Sequence, residues 1–168
     1  MTIIMHAVLG VPYVPTPMNV VRTMVELVPF RGSETVYDLG CGDGRLLIAA
    51  KKTHPEIRAV GCEIVPTIWL LAVLRRFLSR TDVTLHLRSV FAEDLHDADV
   101  LFLYIMPFLI AKLMPKFRRE LKTGTVIVCR SFPLPGLEPL TIQTLPWLGS
   151  TTSLFLYRWN QSAAKTHT

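Results

Sequence analysis

Five short apolar runs, separated by segments of helical spacing or brief connectors, set the fold of this chain. TVYDL (35–39), IRAVGCE (57–63), VTLHL (83–87), ADVLFLY (98–104) and TVIVCR (125–130) each have strand length. VTLHL alternates, whereas ADVLFLY is nearly continuously apolar, and such a run suits a strand buried on both faces of a sheet. RLLIAAKKT (45–53), PTIWLLAVLRRFLSR (66–80) and PFLIAKLMPKFRRELKTG (107–124) read as helices, with Pro115 expected to kink the last and Gly124 to stop it. Upstream, Met18 to Leu27 reads as a helix capped by Thr16, with Pro17 in its first position and Pro29 ending it. After a proline-rich loop, LTIQTL and TSLFLYRW flank PWLGS as a closing antiparallel hairpin. Strand–helix alternation followed by a hairpin predicts an α/β doubly wound sheet, mostly parallel, with helices on both faces. The expected organisation is a helical segment over 1–30 packed on the core, one domain over 31–160, and a frayed tail over 161–168.

Composition narrows the class. Hydrophobic residues make up 50% and charged residues 18% of the 168 positions, which excludes disorder and points to some apolar surface facing a partner or a membrane. The net charge is +5, and part of the excess lies in Arg75, Arg76 and Arg80 and between Lys112 and Lys122, read as solvated helix faces. Cys41, Cys62 and Cys129 show no CxxC pairing, so buried free thiols in a reducing, cytoplasmic setting are expected. The five histidines have no metal-ligand spacing, and no metal is expected. MTIIMHAVLG lacks the basic start of a signal peptide. The most apolar window, VLFLYIMPFLIA, has twelve residues, against the roughly 20 a bilayer-spanning helix needs, and reads as a strand followed by a helix start. Trp69 reads as core, and Trp147 and Trp159 as packing for the hairpin.

The stretch VYDLGCGDGR (36–45) carries the functional signal. The turn residues Gly40, Cys41, Gly42 and Gly44 follow the first strand and open a helix, an arrangement that brings backbone close to a ligand. The dinucleotide pattern GxGxxG needs glycine where Arg45 stands, and no Gly-Lys pair exists for a phosphate-cradling loop. Asp38 and Asp43 are poor neighbours for a pyrophosphate and good ones for an ammonium group. Glu63, 25 residues beyond Asp38 at the end of the second strand, can accept hydrogen bonds from two ribose hydroxyls. An aminoacyl ribonucleoside without phosphate, S-adenosylmethionine, fits that set. An adenine contact is expected from Ser89, Val90 and Phe91 after the third strand.

VYDLGCGDGR followed by VGCE resembles the first two motifs of class I (seven-stranded) S-adenosylmethionine-dependent methyltransferases, and LKTGTVIV resembles their turn into the fifth strand. The likeness covers about residues 12 to 159 and implies a Rossmann-like seven-stranded sheet. PYVPTPMNVVRTMVEL, ADVLFLYIMP and CRSFPLPG resemble a narrower group, the ATP-synthase-subunit lysine methyltransferases and their archaeal and bacterial protein-lysine methyltransferase relatives. That resemblance implies a protein substrate with an accessible lysine. Two departures stand out. Ser89 occupies the place of the family's adenine-binding acid, leaving that contact to Ser89 or to Glu93, and the membrane anchor of the eukaryotic members is not expected here.

Methyl transfer from a sulfonium is an in-line displacement governed largely by positioning. Tyr104 is the candidate to orient the acceptor amine, with Ile105, Ser131 and Phe132 lining its channel. Tyr13 and Thr16 are expected to fold over the cofactor. The rival readings are an RNA or small-molecule methyltransferase and a non-catalytic cofactor-binding module. YIMP in place of an (N/D)PP(Y/F) tetrapeptide after the fourth strand counts against nitrogen-base methylation, so nucleic acid is not the expected partner, and peripheral membrane contact stays open.

Overall fold

The computed structural model describes residues 13–147 and 149–161. Expectations for residues 1–12, for 162–168 and for Leu148 lie outside the described residues.

Helix α1 (Met18–Glu26) is followed by β1 (Thr35–Leu39), α2 (Arg45–Thr53), β2 (Arg58–Glu63), α3 (Pro66–Ser79), β3 (Val83–Leu87), β4 (Val100–Leu103), α4 (Pro107–Glu120), β5 (Val126–Arg130), β6 (Thr141–Trp147) and β7 (Ser150–Arg158). One seven-stranded sheet runs in the order β3-β2-β1-β4-β5-β7-β6. The strands from β3 to β5 are parallel, and β7 pairs antiparallel with both β5 and β6. The order reverses between β1 and β4, so the ends of these two strands diverge and leave a crevice.

Burial explains the sequence pattern. All four residues of β4 and all five of β5 are buried, whereas the edge strand β3 mixes buried and exposed positions. On one sheet face α4 buries Ile110, Leu113, Met114 and Phe117, spaced three and four apart, against Leu39, Leu101, Leu103 and Ile127. On the other face α1 and α2 bury Val20, Val21, Met24, Leu46 and Leu47 against Val36, Phe102 and Val128.

Several expectations need correction. The first residue of α1 is Met18, Pro17 occupies the cap position, and no side chain caps the helix. Thr16 lies one residue before the cap position, and its hydroxyl accepts a hydrogen bond from Arg130 at 2.9 Å instead. The α4 helix runs through Pro115 and ends at Glu120, because Leu121 turns to extended backbone three residues before Gly124. The basic runs are not wholly solvated. Lys116 is buried and pairs with Glu120 at 2.5 Å, and Arg75 reaches Asp43 at 3.0 Å. All three cysteines are buried and free, as read from their surroundings.

Candidate functional site

The crevice holds a cavity of about 340 Å³ at the carboxyl ends of β1, β2 and β4. Its walls join Asp38, Gly40, Cys41 and Gly42 from the turn after β1 to Glu63 at the end of β2. Ser89, Val90 and Phe91 contribute from beyond β3, Tyr104 and Ile105 from beyond β4, and Phe132 from beyond β5. Tyr13 and Thr16 close it from the N-terminal side.

The glycine turn is built for close approach. Gly42 has φ +56, and a Cβ there would sit 2.9 Å from the Tyr13 ring, so the aromatic ring rests directly on bare backbone. The turn is held to β2 by Gly40 and Cys41, whose N–H groups donate to the Cys62 carbonyl at 2.9 and 3.0 Å. The Glu63 carboxylate is fixed by backbone. One oxygen accepts from Gly42 N–H at 3.1 Å, the other from Ile64 and Val65 N–H at 2.8 and 2.9 Å. Its orientation is therefore set before any ligand arrives.

Asp38 is the contrasting case. It is buried, and among the described residues none donates a hydrogen bond to its carboxylate. Burial, with the negative charges of Glu63 and Asp43 adding to it, pushes its pKa up to about 7. A buried carboxylate in this state favours a cationic partner. Asp43 is differently placed. Burial opposes its ionisation, but the bidentate hydrogen bonds of Arg45 and the charges of Arg45 and Arg75 outweigh burial and hold its pKa low.

The sequence profile of the ANTKMT methyltransferase domain matches residues 38–141. The chain belongs to this family. A protein-lysine N-methyltransferase of Saccharolobus islandicus (strain REY15A) is 34% identical over 151 residues, covering 88% of this chain and 92% of the relative. The adenine nucleotide translocase lysine N-methyltransferase of Mus musculus is 30% identical over 138 residues, and the match spans 58% of that longer protein. Among solved structures, an RNA methyltransferase from Salinibacter ruber in complex with S-adenosyl-L-homocysteine superposes with a TM-score of 0.75. It shares 33% identity, over 85% of this chain and 93% of that one. The chain is thus an S-adenosylmethionine-dependent methyltransferase of the ANTKMT family. The cavity's donor set fits that cofactor, since it offers one orphaned buried carboxylate and one preset carboxylate among apolar walls.

Two residues expected at this family site lie elsewhere. Gly44 is the cap position of α2, with φ +73, and a Cβ there would meet Ala72 of α3 at 3.5 Å, so it serves helix packing. Ser131 does not line the cavity, because its N–H bonds the Ser153 carbonyl and its hydroxyl lies 3.0 Å from that of Thr152. The alternative adenine contact, Glu93, is buried against His86 at 3.0 Å and near Arg88, away from the cavity wall. Trp69, expected in the core, is instead only half-buried on α3, where its indole N–H donates to the Leu85 carbonyl at 3.3 Å.

The most informative residue missed by sequence reasoning is Arg130, the last residue of β5. Its guanidinium is 4.1 Å from the centre of the Tyr104 ring and 5.0 Å from that of Trp147, and one terminal nitrogen is buried with no partner among the described residues. Only the long-range placement of the β6–β7 hairpin beside β5 could have signalled this. Arg45 is the second missed residue. Besides gripping Asp43 it donates to the Thr16 carbonyl at 2.9 Å.

Proposed function

We propose that this enzyme transfers methyl groups to lysine ε-amino groups of protein substrates. The observation that carries the reading is the 34% identity to a protein-lysine N-methyltransferase over nearly the whole of both chains.

S-adenosylmethionine, when bound, supplies an electrophilic methyl group on a sulfonium. The residues of the chain are assigned as follows. Asp38 meets the ammonium group of the cofactor, and Glu63 meets its ribose hydroxyls. The backbone from Gly40 to Gly42, with Cys41 between, gives the close approach, and Ser89, Val90 and Phe91 border the adenine. Tyr13 and Thr16 cover this arrangement and exclude water. Tyr104, after β4, orients the acceptor nitrogen, with Ile105 and Phe132 as channel walls.

A lysine must lose its proton before it can attack. The apolar walls disfavour an ammonium ion, and the buried Arg130 cation behind the Tyr104 ring disfavours it further. These effects supply the neutral amine without a dedicated base.

The 33% identity to the RNA methyltransferase from Salinibacter ruber supports a second reading, with RNA as acceptor. Incubating the full chain with labelled S-adenosylmethionine and host lysate separates the two. Label on lysine that survives nuclease is the expected result. Label that nuclease removes would replace the first reading with the second.

A further inference from the structure

Helix α3 has two apolar faces. Ile68 and Ala72 point to the sheet and are buried. On the opposite side Leu70, Leu71, Leu74, Phe77 and Leu78 repeat at the same three-and-four spacing, and there they are 62, 41, 52, 77 and 71% exposed. A surface helix ordinarily presents polar residues on that side. Isolated exposed leucines need no account, whereas a continuous stripe along a whole helix marks a contact surface.

The charge around the stripe has one sign. No acidic residue occurs between Glu63 and Asp82. Arg76 and Arg80 are exposed and flank Phe77 around a shallow depression completed by Val73 and Thr81. The neighbouring α2, which follows β1 as α3 follows the parallel strand β2, ends in Lys51 and Lys52 at the same pole of the molecule. Arg75 takes no part, because it is drawn inward to Asp43.

At its other end the stripe continues to the site. Ile64, immediately before α3, and Phe91 are 44 and 43% exposed and both line the cavity. Leu87, on the edge strand β3, is also exposed and pairs in register with Glu63, the neighbour of Ile64.

We propose that this face docks on the surface of an anionic lipid bilayer. Leu70, Leu74, Phe77 and Leu78 enter the boundary between headgroups and acyl chains, while Arg76 and Arg80 meet lipid phosphates. An apolar helical stripe with one basic end suits that interface, and lipid adapts to a convex ridge where a protein partner would need a matching groove. Among the described residues no helix is long and apolar enough to cross a membrane, so the contact is peripheral. Docking in this way places the cavity mouth, through Ile64 and Phe91, beside the bilayer. The inference does not depend on which acceptor the enzyme methylates.

The test is co-sedimentation of the full chain with vesicles, either phosphatidylcholine alone or with about a third phosphatidylglycerol. Binding to the anionic vesicles, and much less to the neutral ones, is expected. Phe77→Ser/Leu78→Ser should weaken it by roughly tenfold or more. Arg76→Gln/Arg80→Gln should weaken it by about tenfold and remove the preference for phosphatidylglycerol. These side chains are exposed, so melting temperature and cofactor affinity should stay at wild-type values. No sedimentation with anionic vesicles overturns the proposal, as does unchanged binding by both double variants. A concentration-dependent dimer that Phe77→Ser/Leu78→Ser dissolves would assign the face to a second copy of the chain instead.

Discussion

The guanidinium of Arg130 lies 4.1 Å from the centre of the Tyr104 ring, and its Nη1 donates to the Thr16 hydroxyl at 2.9 Å. One buried cation thus joins the tyrosine proposed to orient the acceptor to the segment that lines the cavity from the N-terminal side. Stacking and a charge-assisted hydrogen bond both favour arginine over lysine at such a position.

Replacing Arg130 tests the covering role. Arg130→Met retains much of the stem and loses the charge, the stack and the Thr16 bond. The Tyr13–Thr16 segment should loosen, and the dissociation constant for S-adenosylmethionine should rise by roughly tenfold, the scale of a hydrogen bond to a charged group. Calorimetric titration reads this directly, and wild-type affinity would show that the contact does not hold the cover in place.

Tyr104 separates positioning from cofactor binding. Tyr104→Phe keeps the ring under Arg130 and removes only the hydroxyl. Turnover at saturating cofactor should fall by about tenfold or more while cofactor affinity is unchanged. Equal loss of both would mean that the tyrosine supports the cavity rather than the acceptor.

Asp38 should give the chain a distinctive pH dependence. Its pKa rises from 3.8 to about 7 on folding, mainly through burial. Between those values the folded chain holds a proton that the unfolded chain has released, so this group's contribution to ligand-free stability falls as pH rises through that window. Asp38→Asn should abolish that part of the dependence and melt higher than wild type at about pH 8, with the gap narrowing as pH falls and closing only below about pH 4. Cofactor affinity of the wild type should improve as pH rises toward 7, because the carboxylate must be charged to meet an ammonium group. Parallel melting curves for the two proteins would contradict the buried, unpaired placement.

Glu63 is structural as well as ligand-facing. Glu63→Ala strips acceptors from the N–H groups of Gly42, Ile64 and Val65. Denaturant unfolding should show a loss of about 1–3 kcal/mol even without cofactor. Unchanged stability would mean that water replaces the carboxylate at no cost.

Gly61, in the middle of β2, tests the packing beneath the turn. A Cβ there would lie 2.7 Å from Leu47 Cδ1 and 2.8 Å from Cys41 Sγ. Gly61→Ala should cost about 1–3 kcal/mol and displace the glycine turn through Cys41. The melting temperature and cofactor affinity should therefore fall together.

What the sequence disclosed follows from locality. The strands β4 and β5 were legible because complete burial demands apolar runs, and Asp38 and Glu63 because each is an acid at or next to the carboxyl end of a mainly apolar strand. Thr16 misled because a threonine near a helix start looks like a cap, and its true partner lies 114 residues away. Ser131 misled for a similar reason. Its left-handed backbone, with φ +66, comes from pairing with β7 rather than from any local signature. The outward stripe on α3 was hidden because apolar spacing alone gives no indication of which side of a helix meets the sheet.

Thr16 is held twice, through its carbonyl by Arg45 and through its hydroxyl by Arg130. The order of synthesis gives this double hold a consequence. A nascent chain carries Thr16, the glycine turn and both carboxylates long before Arg130 leaves the ribosome. Until β5 is made and paired, the cover has only one of its two anchors. Sealed binding of the cofactor is therefore expected only once synthesis has passed Arg130, and fragments that end before β5 should lack the second anchor of the cover.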